Sequence, residues 1–242
     1  MPLLREVVAW LRHPDQWRGD DAIPTLALEH LEIAVLATVL AAIVALPLAV
    51  YLAHHRRAEF AAAVVVNVGR AVPSFGVIVI AALLFLRVGV GLRFWPIVVA
   101  LFLLALPPMF TNAYAAVRGV DPALVEAARG MGLREREVLL SVELPLGAPV
   151  LLAGVRVAFV QVVATVALGA IVSSGGGLGR YVVDGFARGA SGHDEVFGGA
   201  LLIAAMTLTC EGAFGLLQRA LLPRGLQGTA ARAVTVHDGQ AA

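Results

Sequence analysis

Long, mostly apolar runs alternate along this chain with short polar stretches. The runs cover about 31–53, 61–86, 94–117, 146–172 and 196–217. Each approaches or exceeds the roughly 20 apolar residues that a helix needs to cross the hydrocarbon core of a bilayer. The pattern predicts an all-α membrane protein with five spans. The second run is interrupted by Asn67, Arg70 and Pro73-Ser74, the third contains Pro107-Pro108, the fourth holds Arg156 and the fifth holds Glu211. Residues 1–29 read as an extracytoplasmic or interfacial segment, 30–222 as the membrane domain, and 223–242 as a small, polar, disordered tail. Within the first segment, Leu3 to Leu11 with Trp10 and Trp17 reads equally as a short helix in the headgroup layer or as an unstructured tail.

The polar stretch 118–145 breaks the pattern. Asp121-Pro122 is a helix start, because an aspartate accepts from free amides and proline suits the first helical position. Leu124, Ala127, Ala128 and Met131 then share one stripe. Gly130 and Gly132 end that helix, a second begins at Leu133, and Pro145 and Pro149 are expected to close it before the fourth span. The alanines allow close approach of a partner backbone, and Glu126, Arg129, Arg134 and Glu135 offer polar contacts.

Composition narrows the class. The chain of 242 residues is 60% hydrophobic and 14% charged, where a soluble domain carries nearer a quarter charged residues. A net charge of +1 suggests no nucleic-acid partner. The single cysteine, Cys210, offers no disulfide or metal framework. The first 25 residues lack the apolar core of a signal peptide. All 18 basic residues are arginine. Without lysine there is no Walker-type phosphate loop, so no cofactor is expected in this chain. If this protein works with ATP, the ATP and Mg are bound and used by another chain, and this one has no ATPase site of its own.

Five spans put the termini on opposite faces. With the N-terminus outside, Arg56, Arg57, Arg118, Arg129, Arg134, Arg136, Arg219, Arg224 and Arg232 are cytoplasmic. Arg5, Arg12, Arg18, Arg87, Arg93, Arg180 and Arg188 are then outside. This balance favours N-out by a small margin.

The insert has a fixed design: Glu126-Ala127-Ala128, three residues, Gly132, nine residues, Val142, Glu143, Leu144-Pro145. It resembles the signature loop of the permease subunits of bacterial ABC importers, with Val142 where isoleucine is commoner. Further stretches resemble the osmoprotectant branch, which imports glycine betaine, choline, carnitine or proline betaine. They are His30-Leu31 with Pro47; Ala71-Val72-Pro73-Ser74; Gly119 to Leu124; Glu143 to Leu146 with Gly154-Val155-Arg156; and Gly175-Gly176-Gly177-Leu178-Gly179. The resemblance implies the five-span core of the type I ABC importer, methionine-permease-like fold, in a bacterial inner membrane, with N-terminus outside and C-terminus cytoplasmic. It implies as partners cytoplasmic ATPase subunits, a second permease subunit (identical or homologous), an extracytoplasmic substrate-binding protein and membrane lipid. Glu126, Ala127, Ala128, Arg129, Gly132, Leu144 and Pro145 would then form the ATPase-docking loop. The same machinery for methionine is the nearest rival. An ion-coupled carrier is a rival of another class; it calls for an inverted repeat and ionisable relays, and no repeat is seen.

Other residues carry expectations of their own. Gly175, Gly176, Gly177 and Gly179 read as an outer gate or, alternatively, a flexible hairpin. Asn67, Pro73, Ser74 and Phe75 line a path if the break at Pro73 faces water, or mark a packing kink. Arg70, Arg156 and Glu211 lie within spans; pairing of Glu211 with an arginine competes with snorkelling to the headgroups. Aromatics make up 7% of the chain and do not cluster, so cage-type recognition of a quaternary ammonium is expected in the separate binding protein.

Overall fold

The computed structural model describes residues 2–57, 64, 73–89, 91 and 93–222. In chain order the helices are α1 (Pro2–Arg12), α2 (Ile23–His54), α3 (Ser74–Arg87), α4 (Trp95–Arg118), α5 (Pro122–Gly130), α6 (Glu135–Val138), α7 (Leu144–Val166), α8 (Gly179–Ala187) and α9 (His193–Leu221). A wide π turn, Leu139–Glu143, joins α6 to α7, and a tight 3-10 segment, Ala167–Ile171, continues α7. Among the described residues, four stretches are long and apolar enough to cross a membrane: Ile23–His54, Trp95–Arg118, Glu135–Ile171 and Gly189–Leu221. Of the expected second span, Asn67 and Arg70 lie outside the described residues. Its later part is α3, which begins directly after Pro73 as the proline break predicts.

Three boundaries differ from the hydropathy pattern. Helix α2 begins at Ile23, earlier than residue 31, because the polar residues that end the apolar run are helical and partnered. His30 is fully buried and donates a ring N–H to the Val163 carbonyl at 2.8 Å. Second, Pro145 and Pro149 do not close the helix that leaves the insert. In the π turn the Leu144 N–H bonds the Leu139 carbonyl, five residues back. That widening just before Pro145 makes room for a ring that lacks an N–H and would crowd the preceding turn. Third, the expected end of the fourth span is a 3-10 segment, and α8 follows it where the sequence pattern showed no helix.

The chain divides into two compact units. One comprises Met1–Leu40, Ala71–Ala105 and Phe159–Glu211. Its core includes Trp10, Ile23, Leu26, Leu178 and Tyr181. Trp10 meets Tyr181 edge-on at 5.0 Å and covers Gly198, where a Cβ would come within 2.5 Å of the indole. The N-terminal segment is thus helical and buries Val7 and Trp10, while Glu6, Val8 and Arg12 are exposed.

The other unit comprises Ala41–Arg70, Leu106–Ala158 and Gly212–Ala242. Here α7 packs closely on α4 through two glycines. A Cβ at Gly154 would meet the Asn112 Cβ, and one at Gly147 would lie 2.5 Å from the Ala116 carbonyl oxygen. Gly212 faces open space. Gly154→Ala and Gly147→Ala are therefore expected to destabilise by about 1–3 kcal/mol each through overpacking. Gly212→Ala is expected to be neutral or slightly stabilising. Thermal unfolding of the purified protein in detergent checks this, and equal melting temperatures for all three would contradict the packing.

Candidate functional site

The insert after α4 is built from local rules. Asp121 caps α5 by accepting the Ala123 N–H at 2.9 Å, with Pro122 in the first turn. At the other end Gly132 takes φ +88°, a left-handed conformation that a side chain disfavours. Its N–H bonds the Arg129 carbonyl, and the Leu133 N–H reaches back to the Ala128 carbonyl. Those two bonds with a left-handed glycine form a Schellman C-cap. The fixed glycine of the insert is thus required by backbone geometry. The next helix starts with Glu137 accepting the Arg134 N–H at 2.7 Å.

Val120, Val125, Ala128 and Val138 form a small core with Leu133 and Val142 against it. The stripe read from sequence splits accordingly. Ala128 is buried, whereas Leu124, Ala127 and Met131 are exposed beside Glu126 and Arg129. An apolar strip on a charged, nine-residue helix is left uncovered, with Met131 75% exposed. Pro145 is exposed and Leu144 half-buried.

A chain of charges crosses the same region. Arg129 grips Glu135 with two bonds of 2.9 Å. The bond to Glu135 holds the Arg129 guanidinium above its ordinary range. Glu135 lies 3.4 Å from the His54 Nε2, and the His54 Nδ1 lies 2.5 Å from Glu143. His54 and Glu143 are buried; Arg129 and Glu135 are partly exposed. The sequence pattern placed Glu143 in the fixed block without a partner and gave no role to His54. The one available signal was a histidine at the end of an apolar run and an acid inside the fixed block.

The glycine segment sits in the first unit, and Gly175, Gly176, Gly177 and Gly179 are all buried. Added Cβ atoms would strike the Arg93 carbonyl oxygen from Gly175, the Ala170 amide from Gly176, His30 from Gly177 and the Ala167 carbonyl oxygen from Gly179. Gly176 and Gly177 also have φ of +102° and +54°. Such a segment is lodged in place, which favours a fixed element over a flexible hairpin. Beside it lies a polar pocket of about 350 Å³ lined by Asp20, Asp21, Arg180, Tyr181, Asp184 and Glu195 among others. Arg180 pairs with Asp21 at 2.7 Å, and the Tyr181 hydroxyl donates to the Asp21 carbonyl at 2.6 Å. Burial, then the carboxylates of Asp21 and Glu195, push the Tyr181 phenol up to about 12. The sequence reading had not singled out this pocket.

Among the remaining candidates, Pro73 and Phe75 are exposed and Ser74 half-buried at the start of α3. The Arg156 guanidinium lies beside Gly215 of α9, 3.5 Å from a Cβ placed there, and Glu211 is half-buried.

The chain is similar to known membrane permeases. The chain is 31% identical over 199 residues to a choline transport system permease protein of Bacillus subtilis (strain 168), covering 82% of this chain and 88% of that one. It is 33% identical to a carnitine transport permease protein of Listeria monocytogenes, covering 82% and 88%. It is 30% identical to an osmoprotectant import permease protein of Salmonella typhimurium, covering 85% and 94%. Among solved structures, an inward-facing form of the MetNI methionine ABC transporter matches with a TM-score of 0.69 at 21% identity, covering 83% of this chain and 96% of that one. That likeness shows the fold, the one expected from the sequence. The family described as the binding-protein-dependent transport system inner membrane component matches residues 33–225. The chain belongs to that family and is a permease subunit of an ABC importer in the inner membrane.

Proposed function

We propose that this chain carries a quaternary-ammonium osmoprotectant, such as glycine betaine or choline, into the cell, driven by ATP hydrolysis in a separate cytoplasmic subunit. Three relatives spanning more than four-fifths of the chain bear the names of choline, carnitine and osmoprotectant permeases. That agreement supports this solute class over methionine, because the likeness to the methionine transporter is one of fold.

The observation that carries the driven mechanism is the exposed strip Leu124–Ala127–Met131 on a helix capped at both ends. An exposed apolar stripe on a short rigid helix fits a hydrophobic groove, and the flanking Glu126 and Arg129 fix its orientation. In this reading α5 seats in the ATPase with the insert cytoplasmic and the N-terminus outside. Leu144 and Pro145 carry its motion into α7. A second permease subunit completes the pathway. The binding protein delivers solute to the face that bears Gly175–Gly179 and the Asp21–Arg180–Tyr181 pocket. Pro73, Ser74 and Phe75 line the path. Closure of the ATPases on ATP shifts the spans between outward and inward access.

Three outcomes are expected. Gly132→Val forces a β-branched residue into φ +88° and breaks the cap. Co-purification of the ATPase with this variant should be largely lost, as with Glu126→Arg, while the wild type retains it. Uptake by cells expressing the full system should be saturable for glycine betaine or choline and absent for methionine; the reverse preference would overturn the solute assignment. Glu211 lies within an apolar helix, where an ionised acid requires a counter-charge or water, at a cost of a few kcal/mol without one. Glu211→Gln is expected to lower complex assembly and transport. Unchanged assembly and uptake would remove any role for that charge.

A further inference from the structure

The helix α5 is too short to hold its own position, since isolated helices of fewer than about 12 residues are marginal in water. Its apolar core is internal to the insert and nearby segments: Val120, Val125, Ala128 and Val138. The charged chain reaches further. It runs Arg129, Glu135, His54, Glu143, from α5 through the first residue of α6 to the last residue of α2 and back to the π turn. Both ring nitrogens of His54 face carboxylate oxygens, which only accept. The ring thus bridges an exposed carboxylate at 3.4 Å and a buried one at 2.5 Å. Next to it the Tyr114 hydroxyl donates to the Arg57 carbonyl at 3.1 Å, which fixes the chain just beyond α2.

We propose that His54 is a positioning residue for driven transport. It clasps the buried Glu143 on one side and the Arg129–Glu135 pair on the other, and so ties the helix that meets the ATPase to the end of the first span. The inference rests on the docking role proposed for α5. A push on α5 reaches α2 through charge contacts, in addition to reaching α7 along the backbone. Removal of the clasp leaves the ATPase bound and active but weakens its grip on the spans.

The test uses the complete importer in liposomes, with its ATPase and binding protein, and glycine betaine as solute. Bound ATPase and solute moved per ATP hydrolysed are measured separately. His54→Gln and Glu135→Gln are expected to retain the ATPase and to lower solute per ATP by roughly fivefold, within the range that residues of a coupling network contribute. A wild-type ratio in His54→Gln overturns the proposal. Glu135 is largely exposed, so Glu135→Gln decides the matter alone if His54→Gln does not accumulate: a wild-type ratio there is equally fatal. A wild-type protein that binds no ATPase would instead defeat the docking role of α5, a different failure seen in a different measurement.

Discussion

Hydrocarbon offers no hydrogen bonds, so every peptide group at membrane depth has to find its partner within the protein. Much of the first unit follows from this constraint. Where α7 gives way to the 3-10 segment and then to the glycines, the chain is irregular, and its buried residues, Gly169, Ala170 and the glycines from 175 on, lie against other protein. The His30 ring bonds the Val163 carbonyl, the Ser173 hydroxyl bonds Gly169, and the Gly175 amide bonds the Ser173 oxygen. The glycines are the means of entry. A side chain at any of these four positions would separate backbones that have to touch.

The insert in the second unit follows the opposite logic. It carries exposed charge and has only a few apolar residues to bury, so its shape comes from caps and ion pairs. Asp121 at one end and Gly132 at the other define α5 to the residue. The π turn before Pro145 then passes the chain into α7 without a break. A rigid, short, capped helix suits transmission of force better than a flexible loop would, because little of a displacement is absorbed within it.

Much of this was legible in the sequence. The apolar runs located the long helices, Asp121-Pro122 and Gly132 bounded α5, and the fixed spacing from Glu126 to Pro145 pointed to the family. What stayed hidden depended on partners distant in sequence. Hydropathy ended the first span at Glu29 and His30, because a buried histidine bonded to a carbonyl over a hundred residues away scores as polar. Proline rules ended the helix at Pro145, because a π turn leaves no trace in composition. The face of α5 was read as one stripe, and which half is covered depends on Val120 and Val138, outside the helix itself. The charge chain through His54 joins residues from four segments, and no local window contains it.

Burial of the glycine segment limits what substitution there can change. Gly175, Gly176, Gly177 and Gly179 already meet other protein atoms, and the Gly175 and Gly179 amides are already bonded to Ser173 and Gly176. A side chain at any of them would act through packing and disturb the first unit's fold before it altered any contact with a solute.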